Sequence, residues 1–259
     1  MTAETWLRLA LVPAAVWLAS LAARRWGHAV SGYLGGMPLI GGPITLFLAI
    51  DHGAEFGARS ALFTLGAVAG QAAHLLALAH VGQRHGWLAS LLSGWTSFAL
   101  VAYGVTLLPL DLPLAIALAL GGLAAAWWWL PRVQGETARP TIPPLELRLR
   151  LAAAFVLAAF ILWSAPRFGP VVSGVLLSLP ITGSIMPPFT VALYGPGALA
   201  RLVRGFVAGL CGFSAFFLVV AAAAPAWGIT ASFGAAVLAA LAALFLANRL
   251  GHPRSVGAR

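Results

Sequence analysis

The sequence predicts an all-α, polytopic membrane protein with about nine transmembrane helices. Of its 259 residues, 61% are hydrophobic and only 8% are charged, and the mean hydropathy is +0.95. A soluble domain carries about 25% charged residues, so this chain cannot form the surface of a soluble enzyme or a nucleic-acid-binding module. A transmembrane helix needs roughly 20 apolar residues, so the length leaves no room for a sizeable soluble domain.

Apolar runs between charges and Pro or Gly residues define the predicted spans. The nine runs are 5–22, 28–50, 56–82, 86–108, 112–130, 147–164, 169–194, 199–223 and 228–247. An odd number of spans places the two ends of the chain on opposite sides of the membrane. The first span has the alternative of a cleaved signal peptide, but Glu4 precedes its apolar run and no cluster of positive charge does.

The Arg residues predict which end is inside, because cytoplasmic loops carry an excess of positive charge. The net charge of +9 arises from 15 basic residues, all of them Arg. Only Arg8, Arg59 and Arg167 fall on the side of the N-terminus. The others fall on the side of the C-terminus: Arg24, Arg25, Arg84, Arg132, Arg139, Arg148, Arg150, Arg201, Arg204, Arg249, Arg254 and Arg259. We therefore expect the N-terminus outside and the C-terminus in the cytoplasm.

An internal repeat relates the two halves of the chain. At an offset of 142 residues, Ser31-Gly32 aligns with Ser173-Gly174 without a gap. Further matches are Pro38 with Pro180, Gly41 with Gly183, Gly53 with Gly195, Ala58-Arg59 with Ala200-Arg201, and Gly70 with Gly212. Spans one to four then match spans six to nine. The predicted units are a first repeat at 1–110, a connector helix and loop at 111–146, and a second repeat at 147–259.

Four spans and one connector reverse the direction of the second copy, so the predicted fold is an inverted 4+1+4 repeat. The charges agree with this, because the loop that holds Asp51 and Glu55 in copy one holds Arg201 and Arg204 in copy two. Inverted repeats give many secondary transporters a pseudo-two-fold axis in the membrane plane. The alternative is an old duplication without transport, in a structural or assembly factor of the cell envelope.

The motif shared by the two copies resembles a known family. Each copy contains Ser-Gly-x-Leu-x-x-x-Pro with a Gly three residues on, followed by a Phe, a Gly, an Ala-Arg pair and a Gly-rich helix. This is similar to the small four-helix bacterial inner-membrane proteins of the GlpM type. The resemblance implies a tandem inverted duplication of such a protein in a bacterial inner membrane, and it implies no substrate. Copy one departs by Gly42-Pro43, and copy two by Pro187-Pro188.

The second and seventh spans are each interrupted near the middle by Gly and Pro residues. The sequences are Pro38-Leu39-Ile40-Gly41-Gly42-Pro43 and Pro180-Ile181-Thr182-Gly183-Ser184, the latter followed by Pro187-Pro188. Proline removes a backbone donor and glycine permits an unwound backbone. Matched interruptions in two halves are typical of a transporter binding site. We therefore predict substrate contacts at Pro38, Gly41, Gly42, Pro43, Thr182, Gly183, Ser184 and Pro187, with a packing kink as the alternative.

Polar residues of the third span are predicted to line the same cavity. Gln71 and His74 share one helical face, and ionisable residues inside a span are functional candidates. Their counterparts in copy two are Phe213 and Phe216. The alternative is that His74 only hydrogen-bonds a neighbouring helix. A remote possibility is an intramembrane hydrolase with Ser97 as the nucleophile and His74 as its base.

The expected partners are the lipid bilayer and a small-molecule substrate, anionic or lipid-linked, with a homo-oligomer left open. We expect no nucleic acid, cofactor or metal, because no nearby Cys or carboxylate completes a ligand set around His74. The single Cys211 excludes a disulfide framework within the chain. The leading hypothesis is therefore a secondary transporter without enzymatic activity.

Overall fold

The computed structural model describes residues 3–26, 28–131 and 143–251. Within these ranges every regular element is a helix. The helices are α1 Ala3–Trp26, α2 His28–Gly36, α3 Gly41–His52, α4 Ala54–Gly66, α5 Val68–Gly82, α6 Trp87–Thr106, α7 Leu112–Trp129, α8 Pro144–Leu177 and α9 Ile181–Gly251. The predicted connector loop and the C-terminal tail fall largely at 132–142 and 252–259, outside the described residues.

Five helical runs of the described residues are long and apolar enough to cross a membrane. They are Val30–His52, Ala54–Gly82, Trp87–Thr106, Leu112–Trp129 and Pro144–Arg249. The last run has 106 residues and a mean hydropathy of 2.3, several times the length that one crossing needs. The chain is therefore an all-α, membrane-embedded protein, as the composition predicted.

The outward faces of the helices are those of a protein that meets lipid. In α7 the buried residues are mostly alanines, such as Ala115 and Ala119, whereas Leu120 and Trp128 are 61% and 80% exposed. A soluble helix has the opposite arrangement, with large apolar side chains inside and polar ones outside. Small residues therefore face the neighbouring helices and large apolar residues face the bilayer.

Sharp changes of direction occur at glycines with positive φ. Gly53 separates α3 from α4, with φ 94° and ψ 160°. Inside α9, Gly195 has φ 78° and ψ −176°. Gly169 in α8 and Gly228 in α9 adopt nearly the same conformation. L-residues with a Cβ rarely adopt these angles, so glycine is required at these kinks by the backbone.

Two glycine contacts bring helices from the two halves of the chain together. A Cβ atom on Gly32 of α2 would lie 2.2 Å from the carbonyl oxygen of Leu202 in α9. A Cβ atom on Gly174 of α8 would lie 2.4 Å from the carbonyl oxygen of Ser60 in α4. Helices in membranes associate closely where small residues let the backbones approach. These contacts hold α2 against α9 and α8 against α4, which places the ends of α2 and α8 inside the bundle.

Candidate functional site

Two short non-helical breaks lie inside the bundle. α2 ends at Gly36 and α3 begins at Gly41, while α8 ends at Leu177 and α9 begins at Ile181. Pro38 lies in the first break and Pro180 in the second, and both prolines are buried. Because proline cannot donate a backbone hydrogen bond and clashes with the preceding turn, it explains why the helix stops at both places.

Both breaks are shorter than the sequence predicted. Gly42 and Pro43 belong to the first turn of α3, and α9 already includes Thr182, Gly183, Ser184 and Pro187. The expectation of open backbone at these six residues is wrong. Pro43 fits the first turn of α3 because the N–H that proline lacks has no helical partner there. The second half-helices therefore start at Gly41 and Ile181.

A single cavity is lined by residues of both breaks. Met37, Leu39 and Ile40 contribute from the first break, and Leu179 and Pro180 from the second. Its volume is about 70 Å³. One water molecule needs roughly 10–15 Å³ of such space, so the cavity holds roughly five waters or a solute of similar size.

Four of the predicted site residues line the cavity directly: Gly41, Gln71, Thr182 and Gly183. Pro38, Gly42, Pro43, His74, Ser184 and Pro187 do not line it. The hydroxyl of Ser184 donates to the carbonyl oxygen of Pro180 at 2.7 Å, so it serves the first turn of α9. The N-terminal ends of α3 and α9 both reach the cavity wall, and helix N-termini carry partial positive charge.

His74 supplies a hydrogen bond that a proline has removed. In a helix the carbonyl of Gly183 accepts from the N–H four residues later, but residue 187 is proline and has no N–H. The Nε2 atom of His74 lies 3.2 Å from the Gly183 carbonyl oxygen. Because a carbonyl only accepts, Nε2 carries the proton in this contact. His74 is fully buried and ties α5 to the start of α9.

Gln71 makes a parallel contact one turn earlier on α5. Its Nε2 donates to the carbonyl oxygen of Ser178 at 2.7 Å, and Ser178 is the C-cap of α8. Carbonyls at a helix C-terminus lack intrahelical donors, so Gln71 satisfies one of them. The Oε1 atom of Gln71 is buried and has no hydrogen-bond partner among the described residues. Gln71, which lines the cavity, therefore carries a buried acceptor that the described residues leave unsatisfied.

The ring of His74 packs against an aromatic side chain and a glycine of α6. Its ring packs edge-on against Trp95 at 6.2 Å between centroids, and a Cβ on Gly94 would lie 2.8 Å from its Nδ1 atom. Nδ1 has no hydrogen-bond partner in the described part of the chain, so no Ser97–His74 hydrogen bond is formed. Residues 3–26, 28–131 and 143–251 contain no group of three or more His, Cys, Asp or Glu that could hold a metal ion.

A buried ion pair adjoins the cavity, and the sequence patterns did not predict it. Arg150 lines the cavity and donates to the carboxylate of Glu146, one turn earlier on α8. Its Nη1 atom also lies 3.4 Å from the hydroxyl oxygen of Ser20 in α1. Arg150 and Glu146 are each only 5% exposed. The positive-inside count uses Arg150 only as a label of the cytoplasmic side, at the start of the predicted span 147–164, whereas its side chain is buried and lines the cavity.

The sequence does contain a signal for this pair. Glu4 and Arg8 stand 142 residues before Glu146 and Arg150, at the same offset as the Gly and Pro matches. Each Glu-x-x-x-Arg sequence lies at the start of a long helix, α1 or α8. Acidic and basic residues four apart can pair on one helical face. The same spacing at the start of two long helices is the sequence signal from which the pair could have been predicted.

No protein-family model, curated protein or solved structure matches this chain. The arrangement of the site is therefore the basis for assigning a function. It combines two broken helices, one small cavity, a buried guanidinium and an unsatisfied amide oxygen in a membrane-embedded protein.

Proposed function

We propose that the protein is a secondary transporter that moves a small substrate through the cavity at the two helix breaks by alternating access. The observation that carries the proposal is that both breaks line one cavity. Irregular backbone at membrane depth is tolerated where it is buried in protein or lines a water-filled cavity. Transporters commonly bind substrate where two discontinuous helices meet.

Nine spans in an inverted repeat are part of this proposal. The long run Pro144–Arg249 bends at Gly169, Gly195 and Gly228, which divides it into four segments of membrane-spanning length. Five more segments precede this run: α1, the pair α2 and α3, the pair α4 and α5, α6, and α7. Four segments on each side of α7 are what a 4+1+4 arrangement requires, and the five-membered first group reverses the direction of the second copy.

Reciprocal contacts support a pseudo-two-fold axis. Gly32 approaches Leu202, and Gly174 approaches Ser60. Adding 142 to 32 and to 60 gives 174 and 202, so each contact is the other with the two copies exchanged. A two-fold relation between copies produces such pairs. A chance packing of unrelated helices has no reason to repeat so close a backbone approach at matching positions.

The cavity lies where that axis would pass. Six pairs of its lining residues are 142 positions apart: Gly35 with Leu177, Met37 with Leu179, Leu39 with Ile181, Ile40 with Thr182, Gly41 with Gly183, and Gln71 with Phe213. In the alternating-access mechanism one repeat moves against the other around such a central site. The last pair differs in chemistry, so copy one supplies a polar wall and copy two an apolar wall.

The setting we propose is a bacterial inner membrane, with the N-terminus outside and the C-terminus in the cytoplasm. The distribution of Arg residues supports this orientation, and the GlpM-like motif of each copy supports the setting. The ancestry we propose is a tandem duplication of a GlpM-like four-helix protein.

A structural or assembly factor of the cell envelope is the second candidate. The observation that favours it is that Gln71 and His74 use their donors to close the second break, which also suits a rigid scaffold. The two candidates differ in one requirement, because a transporter must open the cavity to each side of the membrane and a scaffold never does.

Uptake into proteoliposomes tests the proposal. Purified protein is reconstituted and assayed with a panel of small labelled anions and neutral metabolites, as wild type, Gln71→Leu and Gln83→Leu. Gln83 is the matched control, because it is an exposed Gln at the end of α5. We expect uptake of at least one solute above that of protein-free liposomes, lost in Gln71→Leu and kept in Gln83→Leu. No uptake of any solute contradicts transport, and equal uptake by the two variants contradicts transport through the cavity that Gln71 lines.

A further inference from the structure

The Arg150–Glu146 pair has a location that packing does not explain. A pair of charges removed from water costs more in desolvation than it regains by attraction, unless its geometry is excellent. An ion pair with a purely structural role can form at the protein surface, where its charges stay hydrated. Arg150 and Glu146 are instead buried, and Arg150 lines the cavity. Ionisable residues that face a cavity within a membrane protein commonly mark the path of a substrate.

The guanidinium makes the cavity selective for negative charge. Arg stays protonated in proteins and presents a planar fork that fits carboxylate and phosphate oxygens. Ser20 of α1 contacts this group and also lines the cavity. The N-terminal ends of α3 and α9 add partial positive charge to the same wall. Glu146 is the carboxylate that a bound anion has to replace at Arg150.

The volume of the cavity and the polar side chain of Gln71 restrict the class of ligand further. A volume of about 70 Å³ has space for roughly five to seven waters, so a small solute fits without rearrangement of the cavity. The buried Oε1 atom of Gln71 has no partner among the described residues, and leaving a buried acceptor unsatisfied is unfavourable. A ligand that also carries a hydroxyl group can donate to this oxygen.

We propose that Arg150 binds the anionic group of a small hydroxylated oxyanion in this cavity, and that Glu146 is the internal carboxylate with which the anion competes. The proposal rests on the transport function above and gives its substrate class. The shared chemistry is a small oxyanion with an O–H donor. A short hydroxycarboxylate, dihydrogen phosphate and bicarbonate all meet this description.

The repeated Glu-x-x-x-Arg spacing extends the proposal to the other side of the membrane. Glu4 and Arg8 occupy in α1 the sequence positions that Glu146 and Arg150 occupy in α8. In an inverted repeat, α1 and α8 start at opposite membrane faces. The helix that carries Glu4 and Arg8 then starts at the membrane face opposite to the one at which α8 starts.

Binding to the purified full-length protein in nanodiscs tests the site independently of transport. The probes are glycolate, inorganic phosphate and bicarbonate, compared with propionate, which replaces the hydroxyl of glycolate by methyl, and with neutral glycolamide. Binding is measured by calorimetry and by the shift in melting temperature. We expect at least one of the three hydroxylated oxyanions to bind. Propionate should bind more weakly than glycolate if glycolate is that ligand, and glycolamide should not bind.

Four variants identify the group responsible. Arg150→Gln should weaken binding by about 30-fold or more, the usual effect of removing a buried charged partner. Arg148→Gln makes the same charge change at an exposed position two residues away on α8 and should bind like the wild type. Glu146→Gln should bind the anion more tightly, because it removes the competing carboxylate. Ser20→Ala should weaken binding by a smaller factor.

The opposite effects of Arg150→Gln and Glu146→Gln separate this proposal from a purely structural ion pair. A structural pair lowers the melting temperature in both variants and leaves anion affinity unchanged or lowers it in both, which would overturn the proposal. If Arg150→Gln does not fold, Glu146→Gln and Ser20→Ala decide the question. Binding of the predicted pattern without uptake into proteoliposomes supports the site and overturns transport. If wild type and Arg150→Gln take up a solute equally well, the transport proposal stands and the proposed anion site is wrong.

Discussion

The Nε2 atom of His74 lies 3.2 Å from the carbonyl oxygen of Gly183, the carbonyl that Pro187 leaves without its helical donor. A side chain of α5 thereby completes the first turn of α9. The contact makes the proline tolerable at this depth, since a free carbonyl in the bilayer would lack any partner. It also explains why a histidine, a costly residue in a membrane span, is fully buried in this protein.

The first prediction concerns this exchange of donors. His74→Leu should destabilise the protein by about 1 kcal/mol, because hydrogen bonds between transmembrane helices contribute about that much. Pro187→Ala restores an N–H that can donate to Gly183, so the double variant His74→Leu/Pro187→Ala should recover most of the loss. Unfolding of the reconstituted protein, measured for both single variants and the double, gives the coupling energy. Strictly additive effects would show that His74 does not substitute for the missing donor.

The second prediction concerns the space beside the His74 ring. A Cβ on Gly94 would lie 2.8 Å from Nδ1 of His74, so Gly94→Ala should displace the ring and destabilise the protein by about 1–3 kcal/mol. Gly104, on the same helix α6, has open space where a methyl group would be added, with nothing within 4 Å. Gly104→Ala should therefore be neutral or slightly stabilising. Equal melting temperatures for the two variants would contradict this packing.

The third prediction tests the reciprocal glycine contacts. Gly32→Ala and Gly174→Ala each place a methyl group against a backbone carbonyl, at 2.2 and 2.4 Å, and backbone cannot move aside as a side chain can. Both variants should lose yield and melting temperature, whereas Gly121→Ala on α7, with open space around it, should not. If one of the two contacts tolerated alanine and the other did not, the two copies would not be equivalent at this interface.

The fourth prediction separates backbone strain from crowding. A methyl group added at Gly195 or at Gly234 meets nothing within 4 Å, but only Gly195 has a positive φ, of 78°. Gly195→Ala should cost about 1–3 kcal/mol, and Gly234→Ala should be neutral or slightly stabilising because alanine favours a helix. The unfolding free energies of the two variants provide the comparison. A harmless Gly195→Ala would mean that the kink does not depend on glycine.

Several features of the fold were predictable because their causes are local. Hydropathy identifies helices that need lipid, and Pro38 and Pro180 each indicate a break within an apolar run. The exact length of each break was not predictable. It depends on whether a neighbour such as His74 compensates for Pro187, and that neighbour lies more than 100 residues away in the sequence.

The charged part of the site escaped prediction for a similar reason. Arg150 stands near the start of the predicted span 147–164, where an Arg is expected to mark the cytoplasmic side, and only the approach of Ser20 from α1 shows that it is enclosed. Gln71 was predicted from its place on α5 and does line the cavity. Ser184 was predicted from the Pro/Gly pattern, but its hydroxyl is used within its own helix, an outcome that the pattern cannot distinguish.

The accessibility of the cavity from each side of the membrane decides whether a substrate can pass through it by alternating access. Cys211 is the only cysteine, so a Cys211→Ser background allows single cysteines at Thr182 in the cavity wall and at Leu100 on the lipid-facing surface. Each is treated with a membrane-impermeant thiol reagent in right-side-out and in inside-out vesicles. Alternating access predicts that Thr182→Cys is labelled in both orientations and Leu100→Cys in neither. Labelling of Thr182→Cys from one side only, or from neither, would contradict transport through this cavity.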